Sequence, residues 1–160
     1  METYEYKGKI YREVEAKLLW SLSHYDGPMS GIAMYDGQLY FARCHQTCFR
    51  RKPRYFWLYP LSQEELDREQ RYQDYFRDYY GFHCDYEADG RTRKKGGPRL
   101  QKNTGFWSQL SITVREALGM RVLNEEDPRP AYSTMRDWAG IKEEDHKLFE
   151  EREAVGYFQR

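Results

Sequence analysis

Apolar positions crowd into short runs between residues 18 and 60, and the residues separating the runs are turn formers. Ile32, Ala33 and Met34 precede Tyr35-Asp36-Gly37-Gln38; Leu39, Tyr40, Phe41 and Ala42 follow it. An Asp-Gly pair between two apolar arms suits a two-residue primed turn, because both central residues tolerate positive φ. Asp26-Gly27-Pro28 ends the preceding run, Leu18 to Tyr25, since proline lacks an amide hydrogen and restricts the residue before it. Tyr55 to Tyr59 (YFWLY) resumes as an aromatic strand that Pro60 closes. Residues 4–14 add an opening hairpin or a single edge strand, and Ala154 to Phe158 a terminal strand able to join the sheet edge. The pattern predicts an antiparallel meander of about four to five strands.

The period then changes. Tyr72, Tyr75, Phe76 and Tyr79 fall at i, i+3, i+4 and i+7, with Leu66 and Tyr80 widening the stripe. Ser62 and Glu65 have capping-box spacing ahead of this run, and Gly81 suits the position after its last turn. A long amphipathic helix is predicted from 62 to 80, laid across one face of the sheet as α+β layering requires. Residues 106–118 return to helical spacing, 120–123 read as a short strand and 124–130 as a turn. Two further helices are expected near 133–139 and 143–152, broken at Gly140. Residues 85–104 have little apolar content and an excess of positive charge, so they read as a mobile basic loop. The whole is expected to be one α+β domain over residues 1–160.

Composition modifies this picture in two ways. Mean hydropathy is −1.02, low for a folded chain, yet 17% of the residues are aromatic, including 15 tyrosines. Disordered chains are poor in rings, so a tyrosine-rich core or binding surface is expected instead. The 26 basic and 26 acidic residues cancel, which leaves local patches as the only source of attraction for polyanions. No apolar run is long enough to cross a membrane, and the first residues lack the apolar core of a signal peptide. With three cysteines, an odd number, a reducing, cytoplasmic setting is expected.

Candidate chemistry falls into three groups. Cys44, Cys48, His83 and Cys84 offer three thiols and an imidazole, a donor set that suits a structural zinc ion. A helix about 27 Å long separates the two halves of that set, and His83 and Cys84 are adjacent, which is awkward around a tetrahedron. The competing reading makes the cysteines small core hydrophobes. His24, Tyr25 and Asp26 gather an imidazole, a phenol and a carboxylate at a strand end, where a small enzyme's site would fit. Turn chemistry accounts for Asp26 more simply. No phosphate-loop, dinucleotide, nucleophile-elbow, zinc-protease or calcium-loop pattern is present.

The basic segments carry the fullest signal. Arg43, Arg50, Arg51, Lys52 and Arg54 lie beside Tyr55 and Trp57; Arg91, Arg93, Lys94 and Lys95 form a second group. Arginine with aromatic neighbours anchors protein interfaces, and the same chemistry serves nucleic acids through phosphate contacts and base stacking. The expectation is a small macromolecule-binding protein of the inhibitor, immunity or accessory type, with a protein partner. Nucleic-acid or nucleotide binding through 43–54 and 90–102 is the alternative, and an enzyme near His24 and Asp26 the second. The acid-rich C-terminal third also allows head-to-tail self-association.

Overall fold

The computed structural model describes residues 2–46, 53–100 and 129–160. The predicted helix at 106–118 and strand at 120–123 lie outside the described residues, as does most of the predicted turn at 124–130. Strands β1 (Thr3–Tyr6) and β2 (Lys9–Arg12) form a two-stranded hairpin. Strands β3 (Lys17–His24), β4 (Pro28–Tyr35), β5 (Gln38–Gln46), β6 (Tyr55–Pro60) and β7 (Gly156–Gln159) form a five-stranded sheet in that order, antiparallel throughout. Helices α1 (Gln63–Tyr80), α2 (Tyr132–Ala139) and α3 (Asp145–Glu150) complete an α+β fold.

Local chemistry explains the hairpins. Asp36 and Gly37 have φ of 49° and 76°, and Tyr35 pairs with Gln38 across them, the expected primed turn. Lys7 and Gly8 repeat this geometry at the tip of β1–β2, with φ of 50° and 76°. The terminal strand joins β6 as its pattern suggested, Trp57 facing Tyr157 and Phe56 facing Phe158.

The chain divides into two compact units. One comprises residues 1–63, 84–94 and 144–160; the other comprises 64–83 and 95–143. In the sheet unit, strand alternation sorts side chains onto two faces. Leu18, Ala33, Ala42, Cys44, Phe56, Leu58 and Phe158 form an apolar cluster on one face, joined by Tyr86. The other face is aromatic. Trp57 is fully buried there, stacked on Tyr157 at 5.6 Å and covered by Tyr6 at 4.7 Å and Tyr4 at 5.6 Å from the hairpin. Phe149 of α3 meets Phe41 edge-on at 5.4 Å on the same face. Four tyrosines, Tyr59, Tyr72, Tyr86 and Tyr157, are buried as core-forming rings.

Both sheet edges are occupied. On β3, the Ser21 amide donates to the Cys84 carbonyl and the Tyr86 amide to the Leu19 carbonyl, each at 2.8 Å. On β7, the Val14 amide donates to the Tyr157 carbonyl, also at 2.8 Å. These bonds take up part of each edge ladder, which leaves less of it for another strand to pair with.

In the helical unit, Tyr72 and Phe76 of α1 are buried, as their spacing predicted, and so are Met135 and Ala139 of α2. Tyr75 packs against Trp138 at 5.3 Å, and Tyr80 donates its hydroxyl to the Pro130 carbonyl at 2.7 Å. Gly140 stops α2 in the left-handed region, as its position in the sequence implied. No described helix is long and apolar enough to cross a membrane.

Candidate functional site

The first part of the interval expected to be a loop is a tight antiparallel turn belonging to the sheet unit. Tyr86 bridges Arg93, the Lys94 amide donates to the Asp85 carbonyl, and the Glu87 amide donates to the Thr92 carbonyl. Asp85 and Tyr86 are buried, which little local apolar content foretold. Asp89 caps the bend: its Oδ1 accepts from the amides of Arg91 at 2.8 Å and Thr92 at 2.9 Å, and its Oδ2 from the Thr92 hydroxyl. The Thr92 hydroxyl and those two amides hold the Asp89 carboxyl down at about 2, so the cap stays ionised. Asp89-Gly90 followed by Thr92 is a readable turn signal in retrospect.

Arg160 fastens this turn from the end of β7. Its Nε donates to the Gly90 carbonyl at 2.9 Å, a terminal nitrogen to the Arg91 carbonyl at 3.2 Å, and its guanidinium lies 4.5 Å over the Tyr86 ring. Burial lowers its pKa, and Arg91, Arg93 and Arg54 lower it further. Three segments distant in sequence thus gather positive charge around one point. Nothing local to Arg160 in the sequence announces this role.

The predicted binding residues divide by what they already touch. Arg54 is structural: its guanidinium donates to the carbonyls of Pro28 at 3.0 Å, Tyr25 at 2.7 Å and Asp26 at 2.5 Å. Trp57 is buried between the sheet and the β1–β2 hairpin and is not exposed to a binding partner. Its hydrophobicity decided its place, not its basic neighbours. Tyr55 is half-buried and stacked on Tyr4 at 5.4 Å. Arg43 pairs with Glu150 at 3.3 Å. Arg91, Arg93 and Lys94 stand exposed on the capped turn and form no ion pair with a carboxylate among the described residues. Lys95 is exposed too, within the other unit. Arg50, Arg51 and Lys52 lie outside the described residues.

Beside the turn opens a cleft of about 650 Å³. Val14, Ala16, Leu18, Met34 and Phe158 give it an apolar floor, and Gly90 and Arg91 form part of its wall. This volume falls in the range of ligand-binding pockets. Comparison with known proteins finds no matching family model, no matching curated protein and no matching solved structure. The geometry alone must carry the functional reading.

His24 lies between a serine hydroxyl and an arginine. Its Nε2 lies 2.7 Å from the Ser21 hydroxyl, but its Nδ1 faces the Arg93 guanidinium at 3.4 Å. The Asp26 side chain is not part of this chain of contacts; its carbonyl accepts from Arg54. The Cys84 thiol is pushed up by burial, which keeps it protonated and unreactive at neutral pH.

Of the proposed zinc donors, Cys44 is buried in the apolar cluster opposite Phe56, and His83 is exposed, edge-on to Phe76 at 5.1 Å. Cys48 lies outside the described residues. Among the described residues no group of three or more His, Cys, Asp or Glu side chains is placed to hold a metal ion.

A second cavity of about 480 Å³ opens beside Tyr6, Tyr11 and Tyr59. Its lining holds the pair Lys9–Glu153 at 3.6 Å, and Glu150, which Arg43 pairs with at 3.3 Å. It offers a charged ligand less than the basic turn does.

Proposed function

We propose that this is a macromolecule-binding protein of the inhibitor, immunity or accessory type, which docks an acidic protein surface on the turn bearing Arg91, Arg93 and Lys94. The observation that carries this reading is three exposed cations that form no ion pair among the described residues, on a turn fixed by the Asp89 cap, the Arg160 clamp and the buried Tyr86. A fixed display of unpaired charge steers an oppositely charged partner and loses little freedom on binding.

Single-strand nucleic-acid binding needs rings free to stack on bases. Trp57 is buried and Tyr55 is already stacked on Tyr4, so these two rings are engaged internally. This favours protein over nucleic acid.

The test is a titration of a dye-labelled oligo-glutamate peptide and an oligo-deoxythymidine of equal charge against the wild type and a variant carrying Arg91→Glu, Arg93→Glu and Lys94→Glu. The reading expects the peptide to bind the wild type and not the variant, with unchanged thermal unfolding. Tighter binding of the oligonucleotide, or equal binding by both proteins, would overturn it.

A further inference from the structure

The cleft and the basic turn are continuous, because Arg91 belongs to both. The turn wall is preformed. Arg160 holds the carbonyls of Gly90 and Arg91, and the Gly90 backbone lies close against Lys17, where an added Cβ would come within 3.0 Å of the Lys17 Cβ. Apolar side chains floor the cleft, and the partly exposed Met34 (37%) is among them.

The rim carries charge of both signs. Four carboxylates (Glu13, Glu15, Asp36 and Asp89) and three cations (Lys17, Arg91 and Arg160) line the cleft, and none of the four carboxylates forms an ion pair among the described residues. An all-acidic segment would meet those four carboxylates unfavourably. A segment with acid at one end, a bulky apolar residue in the middle and a base at the other offers each kind of group in the lining an opposite.

We propose that the cleft is the specificity pocket of the interface: it takes a large apolar anchor, tryptophan-sized, from an extended segment of the partner. Acidic residues on one side of the anchor lie on Arg91, Arg93 and Lys94, and a basic residue on the other side meets Glu13, Glu15 and Asp36. Anchors in preformed, desolvated pockets dominate interface energetics, and flanking charge sets orientation. This inference rests on the reading of the turn as an acidic-protein dock and adds the sequence character of the segment it selects.

The experiment uses the full chain and three dye-labelled peptides followed by fluorescence anisotropy: acid-acid-Trp-Lys-Lys, the same peptide with alanine for tryptophan, and an acid-only peptide. The tryptophan peptide is expected to bind at least about tenfold more tightly than its alanine counterpart. Two variants fill the cleft independently, Ala16→Trp and Met34→Trp. Whichever keeps the wild-type melting temperature should abolish the tryptophan advantage while leaving the acid-only peptide unaffected. Equal binding of the tryptophan and alanine peptides, or an advantage that survives in a folded cleft-filled variant, overturns the pocket and leaves the basic turn standing. Failure of all three peptides to bind overturns the turn as a dock and the pocket with it.

Discussion

The Tyr59 hydroxyl meets Nε2 of His45 at 2.6 Å on the sheet face covered by the β1–β2 hairpin. Burial holds His45 down at about 4, helped by the positive charges of Lys7 and Arg43 and opposed by the Glu150 carboxylate 3.7 Å from Nε2. Burial first, and then Glu150, raise the Tyr59 phenol well above its usual range. At neutral pH the bond therefore runs from a neutral phenol to a neutral imidazole, with Tyr6 stacked on the ring at 5.0 Å. Protonating His45 would remove the acceptor.

The sign of the pH dependence follows. The unfolded chain takes up this proton near 6.5 and the folded protein only near 4. Stability from this site is fully present above pH 6.5, declines as pH falls from 6.5 towards 4, and declines no further below that. The loss should be on the order of 2 kcal/mol, allowing for solvent at the partly open edge of the ring. Denaturant midpoints measured across this window should drop for the wild type and much less for His45→Gln.

Arg54 and Arg93 look equivalent in the sequence and should behave oppositely on mutation. Arg54→Ala removes the guanidinium that ties three carbonyls of the β3–β4 turn, and Gly27 lets it approach to within about a van der Waals contact. A loss of about 2 kcal/mol is expected from urea unfolding. Arg93→Ala, on an exposed site, should change stability by no more than about 0.5 kcal/mol.

Gly31 allows β3 and β4 to approach closely. A Cβ there would sit 2.2 Å from the Trp20 carbonyl oxygen and 2.8 Å from Leu18 Cδ1, so Gly31→Ala should cost more than about 3 kcal/mol or prevent folding. At Gly97 a Cβ meets nothing within 4 Å, and alanine there should leave the melting temperature nearly unchanged.

Salt should weaken oligo-glutamate binding, because exposed charges are screened. Removing Arg91 or Arg93 should flatten that dependence. Removing Arg99 should not, since Asp78 at 3.6 Å and Asp74 at 3.9 Å already neutralise it. A similar flattening on Arg99→Ala would count against the turn as the docking point.

The strands, their turns and the long helix were legible from residues 18–80 because they depend on neighbours in sequence. Asp36-Gly37 selects a primed turn whatever surrounds it, and a stripe at helical spacing needs only something apolar to cover it. The candidate site was half legible. Arg91, Arg93 and Lys94 could be singled out by composition. That Arg54 is engaged with backbone carbonyls, that Trp57 is covered by a hairpin, and that Arg160 clamps a turn about seventy residues earlier could not be read in this way. By itself the sequence determined an antiparallel α+β fold rich in tyrosine, with two basic segments. Only the tertiary structure decided which cations remain unpaired, because a charge is free or neutralised according to what distant residues the fold brings against it.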